Sequence, residues 1–260
     1  MKQAVGVFAV LCVTLLLGRP SVVRAQDPAL LEEGAAVYKK RCVICHGDKG
    51  DGKGLMGIIH RAQQNGLVVS IYPRDFTAGI YKFRSTPSGS LPTDDDLMRI
   101  ITDGIPRAGM PSHVDVPLKE RKAVVEFIKT FSKRWQEDAG ARTPIGIGKP
   151  PAGVGSSASA ERGRKVYEEM QCAKCHGDGG RGDGPSSDTL QDSWGDKILA
   201  FDFTSGPLKG GSTPDQIYRT FTTGLDGTPM PSYQESLTPE QSWDLVSYCL
   251  ELMKGQTSGS

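Results

Sequence analysis

One five-residue pattern occurs twice in the 260-residue chain, as Cys42-Val-Ile-Cys45-His46 and as Cys172-Ala-Lys-Cys175-His176. Two cysteines separated by two residues and followed at once by histidine form the attachment pattern of a c-type haem. Each thiol can add to one porphyrin vinyl group. The next histidine is then held beneath the iron, where a neutral imidazole nitrogen serves as axial ligand. The copies lie 130 positions apart, and each continues as His-Gly-Asp into a glycine-rich run. A zinc ribbon places its cysteine pairs far closer together, and a thioredoxin-type dithiol needs a βαβ pattern missing here. The expectation is therefore two covalently attached haem c groups, each wrapped by its own domain.

A chain of this length suits about two ordinary domains. Its 37% hydrophobic and 7% aromatic content is modest, which fits domains whose core is partly porphyrin. The first 25 residues read as an export signal: Lys2, an apolar run from Ala4 to Gly18 too short to span a bilayer comfortably, and Val23-Arg24-Ala25 at the cleavage position. Cleavage is expected near Ala25, with the mature protein periplasmic or otherwise exported. Retention of the run as an uncleaved anchor is the alternative. Of six cysteines, Cys12 leaves with the signal and four take haem. Cys249 is left without a disulfide partner and is expected as a small buried residue on the last helix.

From Ala139 to Ala160 the sequence is rich in Gly, Pro and Ser and has no periodicity, which predicts a flexible linker. It separates a domain at 26–138 from a second at 161–254, with a flexible tail at 255–260. The two match element by element. Each opens with a helix into its cysteine motif, with Gly34, Val37 and Tyr38 corresponding to Gly163, Val166 and Tyr167 on one helical face. Asp75-Phe76-Thr77 is matched by Asp202-Phe203-Thr204. Thr93, and Thr213 with Pro214, are placed to cap a second helix that ends near Gly104 and Gly224. A third helix closes each half, the later one behind a capping box at Thr238–Gln241. No strand signal of useful length appears, so the fold class is all-α.

Met110 follows His46 by 64 residues, and Met230 follows His176 by 54, each within Met-Pro-Ser. A thioether is a soft iron ligand, and pairing it with histidine raises the reduction potential. Matched methionines outside any periodic apolar run are better read as ligands than as core. The axial set is then His46 and Met110, His176 and Met230. His113 is the rival at the first site, but Tyr233 takes its place in the second half. His60 has no counterpart and reads as a loop residue. Met56, Met98, Met170 and Met253 are likewise unmatched.

These duplicated motifs resemble the class I cytochromes c in their exported, two-domain, dihaem form, across nearly all the chain outside the signal and linker. The resemblance implies a small helical domain around each haem, with first and last helices crossing. Gly34 and Tyr38 would then meet the helix carrying Phe127, and Gly163 and Tyr167 the helix carrying Tyr248. In many members a proline carbonyl accepts the haem histidine's Nδ1–H. Pro185 would serve His176, and Leu55, aligned with it, would serve His46.

What the resemblance implies for function is electron transfer between redox proteins, from a dehydrogenase or reductase donor to a terminal oxidase or reductase acceptor. A membrane-associated complex is one setting for that. Two saturated irons leave no substrate position, and no other catalytic constellation is present, so the expectation is a carrier and not an enzyme. The alternatives are a peroxidase-like dihaem enzyme and a dedicated electron-accepting subunit of a larger oxidoreductase. Residues 26–140 hold 17 basic and 15 acidic side chains, net +2; residues 157–260 hold 9 and 15, net −6. That polarity can steer docking, and with no basic stripe in the chain, nucleic acid is not an expected partner.

Overall fold

The computed structural model describes residues 27–62, 68–138 and 142–254. The expected signal peptide, the tail at 255–260 and the first three linker positions lie outside the described residues. The elements of the first half are α1 (Pro28–Arg41), α2 (Val43–His46), β1 (Ile59–Ala62), β2 (Val68–Ile71), α3 (Asp94–Asp103), α4 (Leu118–Lys129) and α5 (Arg134–Glu137). The second half has α6 (Ser157–Glu169), α7 (Ala173–His176), α8 (Pro214–Thr223) and α9 (Pro239–Lys254).

The helix ends follow from side chains that satisfy free backbone groups. Asp27 caps α1 by accepting from Ala29 N, with Pro28 opening the helix. Thr93 and Asp96 form a capping box on α3, and Thr213 and Gln216 form one on α8. Thr238 and Gln241 exchange the same pair of bonds at α9.

Each half closes by crossing its first helix on its last. At the crossing, a Cβ on Gly34 would run into the Ala123 carbonyl, and one on Gly163 into the Asp244 carbonyl. Only glycine lets the backbones approach this closely. Tyr38 packs on Phe127 at 5.4 Å between ring centres, and Tyr167 on Tyr248 at 5.2 Å. Around each crossing lies a separate core, one built on Val37, Leu97, Ile101 and Val124, the other on Val166, Ile217, Phe221 and Val246. Fully burying such a side chain contributes about 1.5–3 kcal/mol. Cys249 is buried in the second core.

The halves differ by one residue between tyrosine and cysteine motif: Tyr38 precedes Cys42 by four positions, Tyr167 precedes Cys172 by five. Gln171 absorbs the extra residue by taking a left-handed backbone, φ 57°.

The all-α class holds, and three local expectations are corrected, on strand content, on His60 and on the linker. The chain is mostly helical, but β1 and β2 pair as an antiparallel hairpin with Ile59 opposite Ile71. His60 is therefore a strand residue, opposite Ser70, whose hydroxyl lies 3.0 Å from His60 Nδ1. The linker, where described, is tied down. Ile145 N donates to Ser85 O, Gly155 N donates to the Ser247 hydroxyl, and Ile147 and Val154 pack on the second core. Helix α6 also starts inside the expected linker, at Ser157, because Ser156 caps it through Ser159 N.

Candidate haem sites

Cys42 and Cys172 sit at the N-caps of α2 and α7, and His46 and His176 end those short helices. The glycine-rich loops fold back over the motif backbone. Gly52 N donates to His46 O and Gly54 N to Cys45 O; Gly182 N donates to His176 O and Gly184 N to Cys175 O. Tyr38 reaches across to give its hydroxyl proton to Gly47 O at 2.8 Å, and Tyr167 gives its own to Gly177 O at 2.7 Å. Both phenols are pushed above their ordinary range, chiefly by burial.

The repeated Asp-Phe-Thr segment now has a mechanism. Asp75 Oδ1 accepts from the Thr77 backbone and hydroxyl, and Asp202 Oδ1 does the same with Thr204, so aspartate and threonine build the turn. The phenylalanine between them packs on the histidine ring. Phe76 stacks on His46 at 4.6 Å and 19°, while Phe203 lies 5.0 Å from His176, tilted by 40°.

The residue before each Asp-Phe-Thr supplies the carbonyl that orients the histidine. His46 Nδ1 lies 3.1 Å from Arg74 O, and His176 Nδ1 lies 3.0 Å from Phe201 O. Leu55 and Pro185 do not take that role. With Nδ1–H committed to a carbonyl, Nε2 keeps the lone pair that can take a metal.

The two Met-Pro-Ser segments are also held alike. The Ile105 and Met110 backbones exchange two hydrogen bonds, and Leu225 N donates to Met230 O. Ser112 and Ser232 each donate a hydroxyl proton, at 2.6 Å, to carbonyls near the ends of α3 and α8, those of Thr102 and Thr222. Met110 and Met230 are half-buried against their own cores. His113 and Tyr233 occupy equivalent places, their backbone N–H groups bound to Ile101 O and Phe221 O. His113 is half-buried and close enough to His46 for its charge to oppose protonation there.

The chemistry of these groups fits a covalently bound haem. Burial, as the largest cause, lowers the pKa of His46 and His176 and favours the neutral imidazole that iron requires. Burial also pushes the Cys42 and Cys172 thiols up to about 11. In the first core the Tyr81 hydroxyl and the Trp135 indole N–H are buried beside each other, with the two rings edge-on at 5.8 Å and no well-formed hydrogen bond to the rest of the domain. The carboxylates of a porphyrin would satisfy such donors.

Sequence reasoning missed Arg74, Phe201, Phe76, Phe203 and the two tyrosine hydroxyls as parts of the site. The duplicated Asp-Phe-Thr and the matched tyrosines were the available signals.

The family model for cytochrome c matches residues 160–252, and that for cytochrome c oxidase, cbb3-type, subunit III matches residues 29–128. Among solved structures, a chain of the Kuenenia stuttgartiensis reducing HAO-like protein complex is 42% identical, with a TM-score of 0.76. The match covers 85% of this chain and 96% of that one. No curated protein matches. With a cytochrome c family match in each half, a relative this similar along nearly its full length, and two duplicate sites suited to haem, the chain belongs to the dihaem class I c-type cytochromes and carries two covalently attached haem c groups.

Proposed function

We propose that the protein is an exported single-electron carrier in which Cys42 and Cys45 bind one haem and Cys172 and Cys175 the other. His46 and Met110 ligate the first iron, His176 and Met230 the second. The observation that carries this is the duplication of the whole support around each histidine and methionine, from the Nδ1–carbonyl bond to the serine tether. A haem between histidine and thioether supplies a one-electron Fe(III)/Fe(II) couple of raised potential.

The chain's own residues keep that couple unchanged by turnover. Arg74 O and Phe201 O fix the tautomer and orientation of each imidazole. Pro111, Pro231 and the serine tethers hold the methionine loops in one position. Methionine and histidine side chains that would together hold each iron would leave it no open position for substrate, which supports a carrier over a peroxidase-like enzyme. Its partners are a dehydrogenase or reductase as donor and a terminal oxidase or reductase as acceptor.

A second reading is favoured by one finding: the 42% identical relative belongs to a reducing HAO-like protein complex. On that reading the protein is the cytochrome subunit of a larger oxidoreductase. The native mass of the assembly separates the two.

The ligand set is tested by the weak far-red sulfur-to-iron band of the oxidised protein, which should correspond to two haems. Met110→His should remove about half of it, and the unmodified protein should show negligible peroxide turnover. If Met110→His leaves the band intact while His113→Ala removes low-spin signal, the first ligand set is wrong.

A further inference from the structure

The two sites are clasped across the domain interface with their roles exchanged. Arg74, whose carbonyl orients His46, extends its guanidinium over the Trp194 ring of the second domain, 5.0 Å from the ring centre. Asp192, two residues before Trp194, is near enough for its carboxylate to favour the charged form of the same guanidinium, against the opposing effect of burial. The Trp194 ring lies on Gly227, where an added Cβ would come within 2.9 Å of it, and Ser193 N donates to Gly227 O at 3.1 Å. Gly227 belongs to the turn that Leu225 N closes on Met230 O.

The converse contact is built from the other side. Phe201, whose carbonyl orients His176, lies beneath the Arg107 guanidinium of the first domain, 5.3 Å from its ring centre. Arg107 also donates to the carbonyl and hydroxyl of Ser205, at 2.5 and 2.7 Å. It stands three residues before Met110. Each histidine-orienting residue thus packs against the region of the opposite domain's methionine loop through a cation–aromatic contact. In both clasps the cation comes from the first domain and the ring from the second.

We propose that these clasps let each domain set the reduction potential of the haem in the other, with Trp194 and Arg107 as the positioning residues. Trp194 fixes the Arg74 cation beside the first site, and Arg107 brings a cation to the second. This rests on the assignment of His46 and His176 as iron ligands. The oxidised iron carries one more positive charge than the reduced iron, so a fixed cation nearby favours reduction and raises the potential. Inside a packed interface that field is weakly screened, whereas a guanidinium released to solvent is screened by water and salt. An aromatic face is a natural restraint on such a cation.

The test is a potentiometric titration of the whole protein, with covalent haem counted by mass and the far-red band recorded for every variant. The first haem is the couple that moves in Met110→His. Trp194 keeps 39% of its surface exposed, so Trp194→Leu leaves no large cavity. That change, made in the second domain, should lower the first haem's potential by about 59 mV, a tenfold change in a one-electron equilibrium. Arg74→Gln should do the same, the double variant should fall no further, and Trp194→Phe should restore most of the loss. Arg107→Gln should lower the second haem's potential instead.

The inference is overturned if Trp194→Leu moves neither potential. It is also overturned if the variant acts as strongly in the Arg74→Gln background, which would mean it acts by loosening the fold. A missing far-red band in the unmodified protein would remove the ligand assignment and this inference together. An intact band with unmoved potentials removes this inference alone.

Discussion

The Arg84 guanidinium of the first domain lies 2.7 Å from the Asp226 carboxylate of the second, and the arginine side chain has no solvent exposure. Arg84 also donates to Thr223 O across the interface and to Pro87 O and Tyr81 O within its own domain. Asp226 completes its shell with the Ser88 hydroxyl and Gly89 N, both at 2.9 Å. The desolvation of both charges is thereby answered by an opposite charge and by hydrogen bonds. The two haem domains are joined as one packed unit here, beyond the covalent link between them.

Removing one member of a buried pair strands the other charge, at a cost of about 3–5 kcal/mol. Asp226→Ala should therefore lower the unfolding free energy by about that amount, measured by chemical denaturation of the holo protein. Asp226→Asn keeps the acceptor for Ser88 and should cost less. A loss below about 1 kcal/mol in Asp226→Ala, the range of exposed pairs, would show that water enters the interface.

The tyrosine hydroxyls offer a test inside each domain. Tyr38→Phe and Tyr167→Phe keep the ring contacts with Phe127 and Tyr248 but remove one of two donors from the Gly47 and Gly177 carbonyls, which still accept from Gly50 N and Gly180 N. Each should cost about 0.5–1.5 kcal/mol, the net contribution of one hydrogen bond to an acceptor that keeps its other donor. The two sites share no partner, so the double variant should lose the sum. A thermodynamic cycle departing from additivity by more than about 0.5 kcal/mol would mean that the domains are coupled through these loops.

What the sequence made legible was whatever requires a particular residue type. Only cysteine and histidine at those spacings bind haem, only glycine fits at positions 34 and 163, and threonine with a matching polar partner marks the starts of α3, α8 and α9. The histidine-orienting bonds were not legible. Their acceptors are backbone carbonyls 28 and 25 residues away, which any side chain could precede. The linker misled for a similar reason, since its Gly, Pro and Ser content hid contacts made through backbone N–H groups. The hairpin had a readable signal that went unused: β-branched Ile58, Ile59, Val68, Val69 and Ile71 flank Asn65-Gly66.

Among the described residues, Gln171 is the exception to the rule that left-handed backbone belongs to glycine. For a residue with a Cβ, that conformation costs about 1–2 kcal/mol. Gln171→Gly should remove this strain, partly offset by the greater freedom of glycine in the unfolded chain. The expected net gain is about 0.5–1 kcal/mol, with the covalent haem count unchanged. Denaturation midpoints of wild type and variant decide it, and a net loss would show that the Gln171 side chain contributes more than its backbone costs.

Lys82 gives the interface a dependence on pH. Burial first, and then the neighbouring cations Arg74 and Lys209, push its pKa down from 10.5 to about 8, against the opposing pull of Asp192. Between those two values the unfolded chain holds a proton at this position that the folded chain has released. Stability gains with pH wherever the unfolded state binds more protons. Lys82 should therefore make the protein more stable as pH rises from about 8 towards 10.5, and its charged form should weaken the interface below that window. Lys82→Met removes the titrating group while keeping an unbranched side chain of similar length. Its stability should exceed wild type at pH 7 and converge with wild type near pH 10, in denaturation curves taken across the window. Parallel curves for the two proteins, offset by a constant amount, would mean that Lys82 stays charged in the folded state and that water reaches it.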